Sequence, residues 1–310
     1  MILSRKIIYL INPISGTRGK SSVQELITRR TKEQGIAFSI LPTDAEGNYD
    51  FLLSSIKKDA ITDIVVCGGD GTVSAVAAAL TGIDVRIGVI PMGSGNGLAF
   101  AARIPKDPDK ALDIVFAGQA AWIDGFHING QFSCMLCGIG FDAAVAHEFA
   151  RQPRRGLQTY IKVSLRNFFK ARTYGFEIRL PSSDGIATVP FSVEALFIDI
   201  ANGDQFGNNV RIAPRASLSD GLLDIVIVKK AGRLRMLLSA IRQVLGGYSV
   251  EEHPSGLGRK NVLYFQTPSL LIGNPGAAPL HIDGDPRATA PQFRIEVVPK
   301  VIKLISPPVS

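Results

Sequence analysis

Residues 65–73 read Val65-Val66-Cys67-Gly68-Gly69-Asp70-Gly71-Thr72-Val73, VVCGGDGTV. A short, continuous apolar run rich in valine is the pattern of a strand buried on both faces. Here it stops directly at three glycines enclosing one carboxylate. Glycines at such a strand end let backbone N–H groups face outward, and a helix starting immediately after adds the positive end of its dipole, so the loop forms a concave anion site. A bare tight turn would need only the glycines. Asp70 repels phosphate unless it holds a metal ion or takes up a proton, so its presence points to chemistry at the phosphate.

Strand-like and helix-like segments alternate around this loop. KIIYLIN precedes SSVQELITRRTKEQG, AFSILPT precedes FLLSSIKKD, DIVVCG precedes TVSAVAAALTG, and VRIGVIP precedes GLAFAARI. That alternation predicts a parallel sheet covered by helices, with ligands beyond the carboxyl ends of the strands. After Trp122 the texture changes. The Asn129-Gly130 pair between GFHI and QFSCML is a hairpin signal, and the later runs GFEIRLP, FSVEALFIDIANG, GLLDIVIVKK, NVLYFQ, SLLIG, PLHIDG and FRIEVVP predict mostly antiparallel β. Helices are predicted near 142–150, 157–171 and 233–246. The domain boundary is placed near residue 121.

A second loop repeats the build of the first: Val89-Ile90-Pro91 ends a strand, MGSGN follows, and Asn96 is positioned to cap a helix starting at Gly97. A third lies early, as Asn12-Pro13-Ile14-Ser15-Gly16 after the first strand. The adjoining GTRGKS is not a Walker A loop, because only two residues separate Gly16 from Gly19 where that motif needs four. Lys20 can still reach a phosphate as a point charge, or lie solvated at a helix start.

At 310 residues, with 46% hydrophobic and 20% charged residues, the composition is globular and long enough for two cores. No apolar run reaches the length of a membrane span, and the N-terminus lacks the pattern of an export signal. The three cysteines are an odd number in a long chain, the pattern of a reducing compartment rather than a disulfide framework. Cys134 and Cys137 have the spacing of half a metal site, but no second pair exists, and core packing is the expectation. The four histidines show no ligand spacing. The net charge of +7 is concentrated in 151–172, where Arg151, Arg154, Arg155, Lys162, Arg166, Lys170 and Arg172 occur with no acid. In a helix, Lys162, Arg166 and Lys170 would share one side, and Leu157, Tyr160, Ile161, Leu165 and Phe168 would form an apolar stripe. That layout suits either an anionic membrane surface or a packed helix with a solvated basic face.

Taken in order, NPISG at 12–16, GGDGT at 68–72, PMGSGN at 91–96, GIGFDA at 138–143, IAPRASLSDGLLD at 212–224 and IDGD at 282–285 resemble the diacylglycerol kinase catalytic family, which includes bacterial lipid kinases, sphingosine kinases and ceramide kinases. The resemblance spans nearly the whole chain. It implies an α/β nucleotide-binding domain with a parallel sheet, of the NAD kinase and phosphofructokinase kind, over 1–121. It further implies a mostly antiparallel β-sandwich for the lipid substrate over 122–295, and a segment 296–310 that returns to the first domain. The implied activity is transfer of the γ-phosphoryl group of ATP to a lipid hydroxyl, of diacylglycerol or sphingoid type, with Mg²⁺. Nucleotide contacts carry over to Asn12, Ser15, Gly16, Thr43, Gly68, Gly69, Asp70, Gly71, Thr72, Ser94 and Asn96. Asp220 carries over as a ligand of a structural Mg²⁺, with Ser217 and Leu222 as neighbouring ligands through backbone oxygen; an ordinary Asp-Gly turn is the alternative. Asp283 or Asp70 carries over as the base that takes the alcohol proton.

Two departures from the family pattern stand out. Ser74-Ala75 replaces the usual Asn-Glu after GGDGT, and Asp285 replaces the glutamate of the DGE motif. Two other readings therefore stay open: an NAD kinase-like enzyme, which shares GGDGT, and a catalytically silent lipid- or membrane-binding pseudokinase. The expected location is the cytoplasm, with peripheral contact at the inner face of the membrane. No nucleic-acid partner is expected, and oligomeric state is not legible.

Overall fold

The computed structural model describes residues 5–11, 20–44, 46–153, 156–181, 190–207, 210–229 and 261–308. The helix expected at 233–246 lies outside the described residues, as do Arg154 and Arg155. Two compact units form, Met1–Ile123 with Lys300–Ser310, and Asp124–Pro299.

In the first unit the chain runs β1 (Lys6–Ile11), α1 (Lys20–Glu33), β2 (Ala37–Pro42), α2 (Asp50–Asp59), β3 (Asp63–Gly68), α3 (Asp70–Ala79), β4 (Arg86–Pro91), α4 (Gly97–Ala101) and α5 (Pro108–Ala117). The strands β2, β1, β3 and β4 lie side by side and parallel. All six residues of β3 are buried, as its uninterrupted apolar run requires. Asp63, at the opposite end of β3 from Gly68, is fully buried and bound by Arg5 at 2.9 Å and Arg86 at 2.8 Å. Arg5 also donates to the carbonyls of Val115 and Phe116 at the end of α5, so one buried carboxylate ties three elements together at the end of the sheet remote from the glycines. The segment alternation did not include α5, although its ends are signposted. Asp107 accepts from the Asp109 and Lys110 N–H groups, Pro108 opens the helix, and Gly118 ends it in the left-handed region.

After α5 come β5 (Ala120–Ile128), which crosses into the second unit, then β6 (Gln131–Ser133), β7 (Leu136–Gly140), α6 (Phe141–Ala150), α7 (Leu157–Lys170), β8 (Tyr174–Arg179), β9 (Phe191–Ala201), β10 (Gln205–Gly207), β11 (Val210–Arg211), β12 (Leu223–Lys229), β13 (Val262–Thr267), β14 (Ser269–Gly273), β15 (Leu280–Ile282), β16 (Asp285–Arg287) and β17 (Gln292–Ile305), whose last residues return to the first. The pairings β7–β9, β8–β9, β9–β12, β12–β13, β8–β14 and β14–β17 are all antiparallel. Side chains alternate between two buried faces: Leu223, Ile225 and Ile227 of β12 join a core with Phe126, Phe176 and Phe293, while Val226 and Val228 join Leu136 and Leu196 on the other. Asn129 and Gly130 adopt φ of 48° and 80° between β5 and β6, the turn their sequence predicts. From Lys300 on, the chain belongs to the first unit, where Lys303 and Leu304 pair in parallel with Arg86 and Ile87 of β4.

Helix α7 corrects one expectation. Tyr160 packs its ring on Phe149 and Phe168 on Phe141, with Val163 buried between them. Ile161 and Leu165 do not share that face. They are 36% and 39% exposed, and with Phe169, at 61%, they form a separate apolar row. The helix packs on α6 through only part of the expected stripe, because residues four apart drift around the helix relative to a flat contact. The side chain of Leu157 lies outside the described residues.

Candidate active site

Gly68 ends β3 and Gly69 caps α3, so Asp70, Gly71 and Thr72 form the first turn of the helix, where backbone N–H groups have no carbonyl of their own helix to meet. The MGSGN loop after β4 is pressed against this turn. A Cβ on Gly93 would lie 2.5 Å from the Gly69 Cα, and one on Gly95 would lie 2.7 Å from Asp70 Oδ2. Met92 N–H donates to the Gly68 carbonyl at 2.9 Å. Both loops thus stand at the carboxyl ends of adjacent parallel strands, held together by glycines whose missing side chains make the approach sterically possible.

Asn96 departs from its expected capping role. It adopts φ of 59° before α4, its Oδ1 accepts from Gly93 N–H, and its Nδ2 donates to the Gly93 carbonyl, both at 2.8 Å. It braces its own loop instead of capping the helix. Ser94, at the tip of that loop, is exposed. Thr43 follows β2 and is buried, its N–H donating to the Ile11 carbonyl. Asn12, Ser15 and Gly16 lie outside the described residues, as does the side chain of Lys20.

In the second unit, Asp283 and Gly284 form the two-residue turn between β15 and β16, with φ of 50° and 83°. The Asp283 carboxylate is buried. Its Oδ1 accepts from Ser133 Oγ at 2.7 Å and from the Leu136 N–H at 3.1 Å, while its own N–H donates to the Leu136 carbonyl. These bonds hold Oδ1 in place.

The loop carrying Ser217, Asp220 and Leu222 is an Asp-Gly turn in which Asp220 Oδ1 accepts from the Leu222 N–H. Asp124, absent from the residues singled out in the sequence, is joined to it. Its Oδ2 accepts from the Gly221 N–H at 2.7 Å, and its N–H donates to the Leu218 carbonyl at 2.6 Å. Asp124 and Asp220 thus meet the same turn, and their carboxylates are oxygen donors of the type that a hard cation such as Mg²⁺ takes.

A further group was legible only in part, through His281, whose place two residues before Asp283 on the same face of a strand suits either orienting that carboxylate or filling the strand. Asp142, Asp199 and His281 bring ligand-type atoms within 4.8 Å of one another, all buried, from α6, β9 and β15. Their separation along the chain hides them from any spacing rule. Burial and the adjacent Asp142 push the Asp199 carboxyl well up. All three cysteines are buried thiols, and burial pushes those of Cys67 and Cys137 up, as inert packing residues require.

Two interlocked glycine loops at the carboxyl ends of a parallel sheet, in a chain that continues into an antiparallel second domain, have the build of a nucleotide-dependent phosphotransferase. The chain belongs to the diacylglycerol kinase catalytic family: residues 6–128 match the diacylglycerol kinase catalytic domain, and residues 136–306 match the YegS C-terminal NAD kinase beta sandwich-like domain. By that membership it is an ATP-dependent lipid kinase. Among similar proteins, a Yersinia enterocolitica protein described as "Probable lipid kinase YegS-like" is 28% identical over 298 residues, covering 94% of each chain. A Mycobacterium tuberculosis diacylglycerol kinase is 28% identical over 312 residues, covering 97% of this chain and 95% of its own. The crystal structure of a Bacillus anthracis diacylglycerol kinase superposes with a TM-score of 0.73 over 98% of each chain at 21% identity, a likeness of fold.

Proposed function

We propose that the chain phosphorylates a diacylglycerol-type lipid alcohol, with the β3 and β4 loops holding the ATP phosphates and Asp283 taking the alcohol proton. The observation that carries this reading is the interlock of Gly69 with Gly93 and of Asp70 with Gly95, which joins two glycine loops into one cradle. Phosphoryl transfer needs mostly positioning and charge neutralisation. The N–H groups at the start of α3 supply the second without side-chain cost. Asp283 suits the base because donors on Oδ1 orient its carboxylate. Asp70, seated among phosphate-binding glycines, suits a metal partner better.

Asp220, with Ser217, Leu222 and the adjoining Asp124, would hold a structural Mg²⁺, and a second Mg²⁺ accompanying ATP would neutralise phosphate charge when bound. The turn that these residues share is already closed by its own hydrogen bonds. A sphingoid-type alcohol is the second substrate reading, supported by the Gly-Ser-Gly-Asn reading of residues 93–96.

The exposed row of Ile161, Leu165 and Phe169 beside Lys162 and Lys170 supports a peripheral contact with an anionic membrane, where such a substrate resides. No helix among the described residues is long and apolar enough to cross a membrane. The deciding experiment offers ATP with diacylglycerol, monoacylglycerol, sphingosine, ceramide and phosphatidylglycerol in mixed micelles and identifies products by mass spectrometry. Phosphatidic acid as main product supports the reading; a phosphorylated sphingoid base transfers it to the second substrate, and no product from any lipid returns the silent pseudokinase.

A further inference from the structure

Three strands place His281, Gly138 and Asp199 in one row, since His281 pairs with Gly138 across β15–β7 and Gly138 with Asp199 across β7–β9. The middle residue has no side chain, and its space is occupied. A Cβ on Gly138 would lie 1.5 Å from Asp142 Oδ2 and 2.6 Å from His281 Nε2. Asp142, near the start of α6, therefore lies over Gly138 between the two flanking side chains.

The hydrogen bonds settle the state of the imidazole. Gly284 N–H lies 3.2 Å from His281 Nδ1 and has only a proton to offer, so Nδ1 is the acceptor and carries none. The ring proton is then on Nε2, donated to Asp142 Oδ2 at 2.8 Å. A protonated Nε2 has no lone pair for a cation, so in this arrangement the imidazole serves as a donor to Asp142 and not as a ligand, in spite of the ligand types around it. Asp142 Oδ1 and both Asp199 oxygens meet no donor among the described residues, and a proton on Asp199 shared with Asp142 Oδ1 satisfies two of these three atoms. With Asp199 neutral, Asp142 holds the single negative charge that the Nε2 proton requires.

We propose that His281, oriented by Asp142, is a positioning residue that holds the Asp283–Gly284 turn and thereby aims the Asp283 carboxylate. The inference rests on the reading of Asp283 as the base. Gly284 is the second residue of the same two-residue turn, so the Nδ1 bond acts one peptide away from the carboxylate it steadies. Ser133 Oγ and the Leu136 N–H hold that carboxylate from the other side.

The test uses two amides that each keep half of the imidazole. Asn places an oxygen near the position of Nδ1 and keeps the acceptor for Gly284; Gln reaches the position of Nε2 and keeps the donor to Asp142. His281→Gln is expected to lower kcat by about 10²-fold with the KM for ATP and for lipid little changed, because the base is misplaced while binding persists. His281→Asn is expected to recover most of that loss. Equal loss in both variants in step with a lowered melting temperature would reveal a merely structural role and overturn the proposal, as would unchanged kcat in both. Independently, ¹⁵N-histidine spectra of the wild-type protein should show His281 with Nδ1 bare and Nε2 protonated; an Nδ1–H tautomer overturns it. Asp283→Asn, run alongside, separates the two readings: normal turnover there removes the base assignment, whereas an inactive Asp283→Asn with a fully active His281→Gln removes only the positioning role.

Discussion

Gly69 and Gly93 face each other so closely that a Cβ on either would meet the other's Cα, at 3.1 Å from Gly69 and 2.5 Å from Gly93. The two loops can approach this closely only because neither residue has a side chain. Gly93→Ala is therefore expected to force the loops apart, costing about 1–3 kcal/mol in denaturant unfolding and weakening ATP binding in calorimetry. Binding and stability both at wild-type level would remove the interlock from the argument.

Asp70→Asn keeps the size of the side chain lying against Gly95 and removes its charge. Unfolding free energy should change by less than about 1 kcal/mol, while phosphoryl transfer should fall by at least about 10²-fold. Near-normal turnover in a radiolabelled transfer assay would detach Asp70 from the chemistry.

Asp283→Asn retains an acceptor for Ser133 and Leu136, so the turn should persist. ATP affinity should be unchanged and transfer to lipid should drop by the roughly 10²–10⁴-fold typical of a lost general base. Loss of nucleotide binding instead would move the base to Asp70.

On α7, Arg166 is already paired with Glu148 at 3.3 Å, leaving Lys162 and Lys170 as the better contributors to an anionic surface. The double change Lys162→Gln and Lys170→Gln should weaken sedimentation with phosphatidylserine vesicles by about 1 kcal/mol per charge at low salt, with the difference shrinking as salt rises. Phe169→Ser should weaken binding at both salt levels, since its contribution is apolar. Vesicle binding indifferent to all three changes would mark this row as a solvated surface.

Asp199 supplies a pH prediction. Its carboxyl is held well above the unfolded value, so the folded chain binds an extra proton between the two, and its contribution to stability is lost as pH rises from the ordinary carboxylate range toward the folded value. Asp199→Asn, which cannot ionise, should be at least as stable as wild type at pH 8, with the gap closing toward pH 4 in melting scans. A gap that widens on acidification would mean that Asp199 is ionised in the fold.

The strand-and-helix alternation around VVCGGDGTV was legible because both periodicities and glycine loops are local properties of the chain. The hairpin at Asn129-Gly130 was legible for the same reason: positive φ at both positions selects those residue types. Helix α5 carried equally local signals, in Asp107, Pro108 and Gly118, and could have been read from them. The face of α7 could not, because an apolar stripe says that something is covered and not which part of it α6 will cover.

The sequence by itself determined the alternation of strands and helices around the glycine loops, and the family, since each is written in contiguous residues whose backbone demands are immediate. Only the tertiary structure decided that Asn96 braces Gly93, that Asp124 meets the Asp220 turn, and that Asp142 lies over Gly138 between His281 and Asp199. Those relationships depend on strand register, where shifting a pairing by one residue would turn His281 and Asp199 to the opposite face. No spacing along the chain encodes that choice, because it is made by the packing of both faces of the sheet at once.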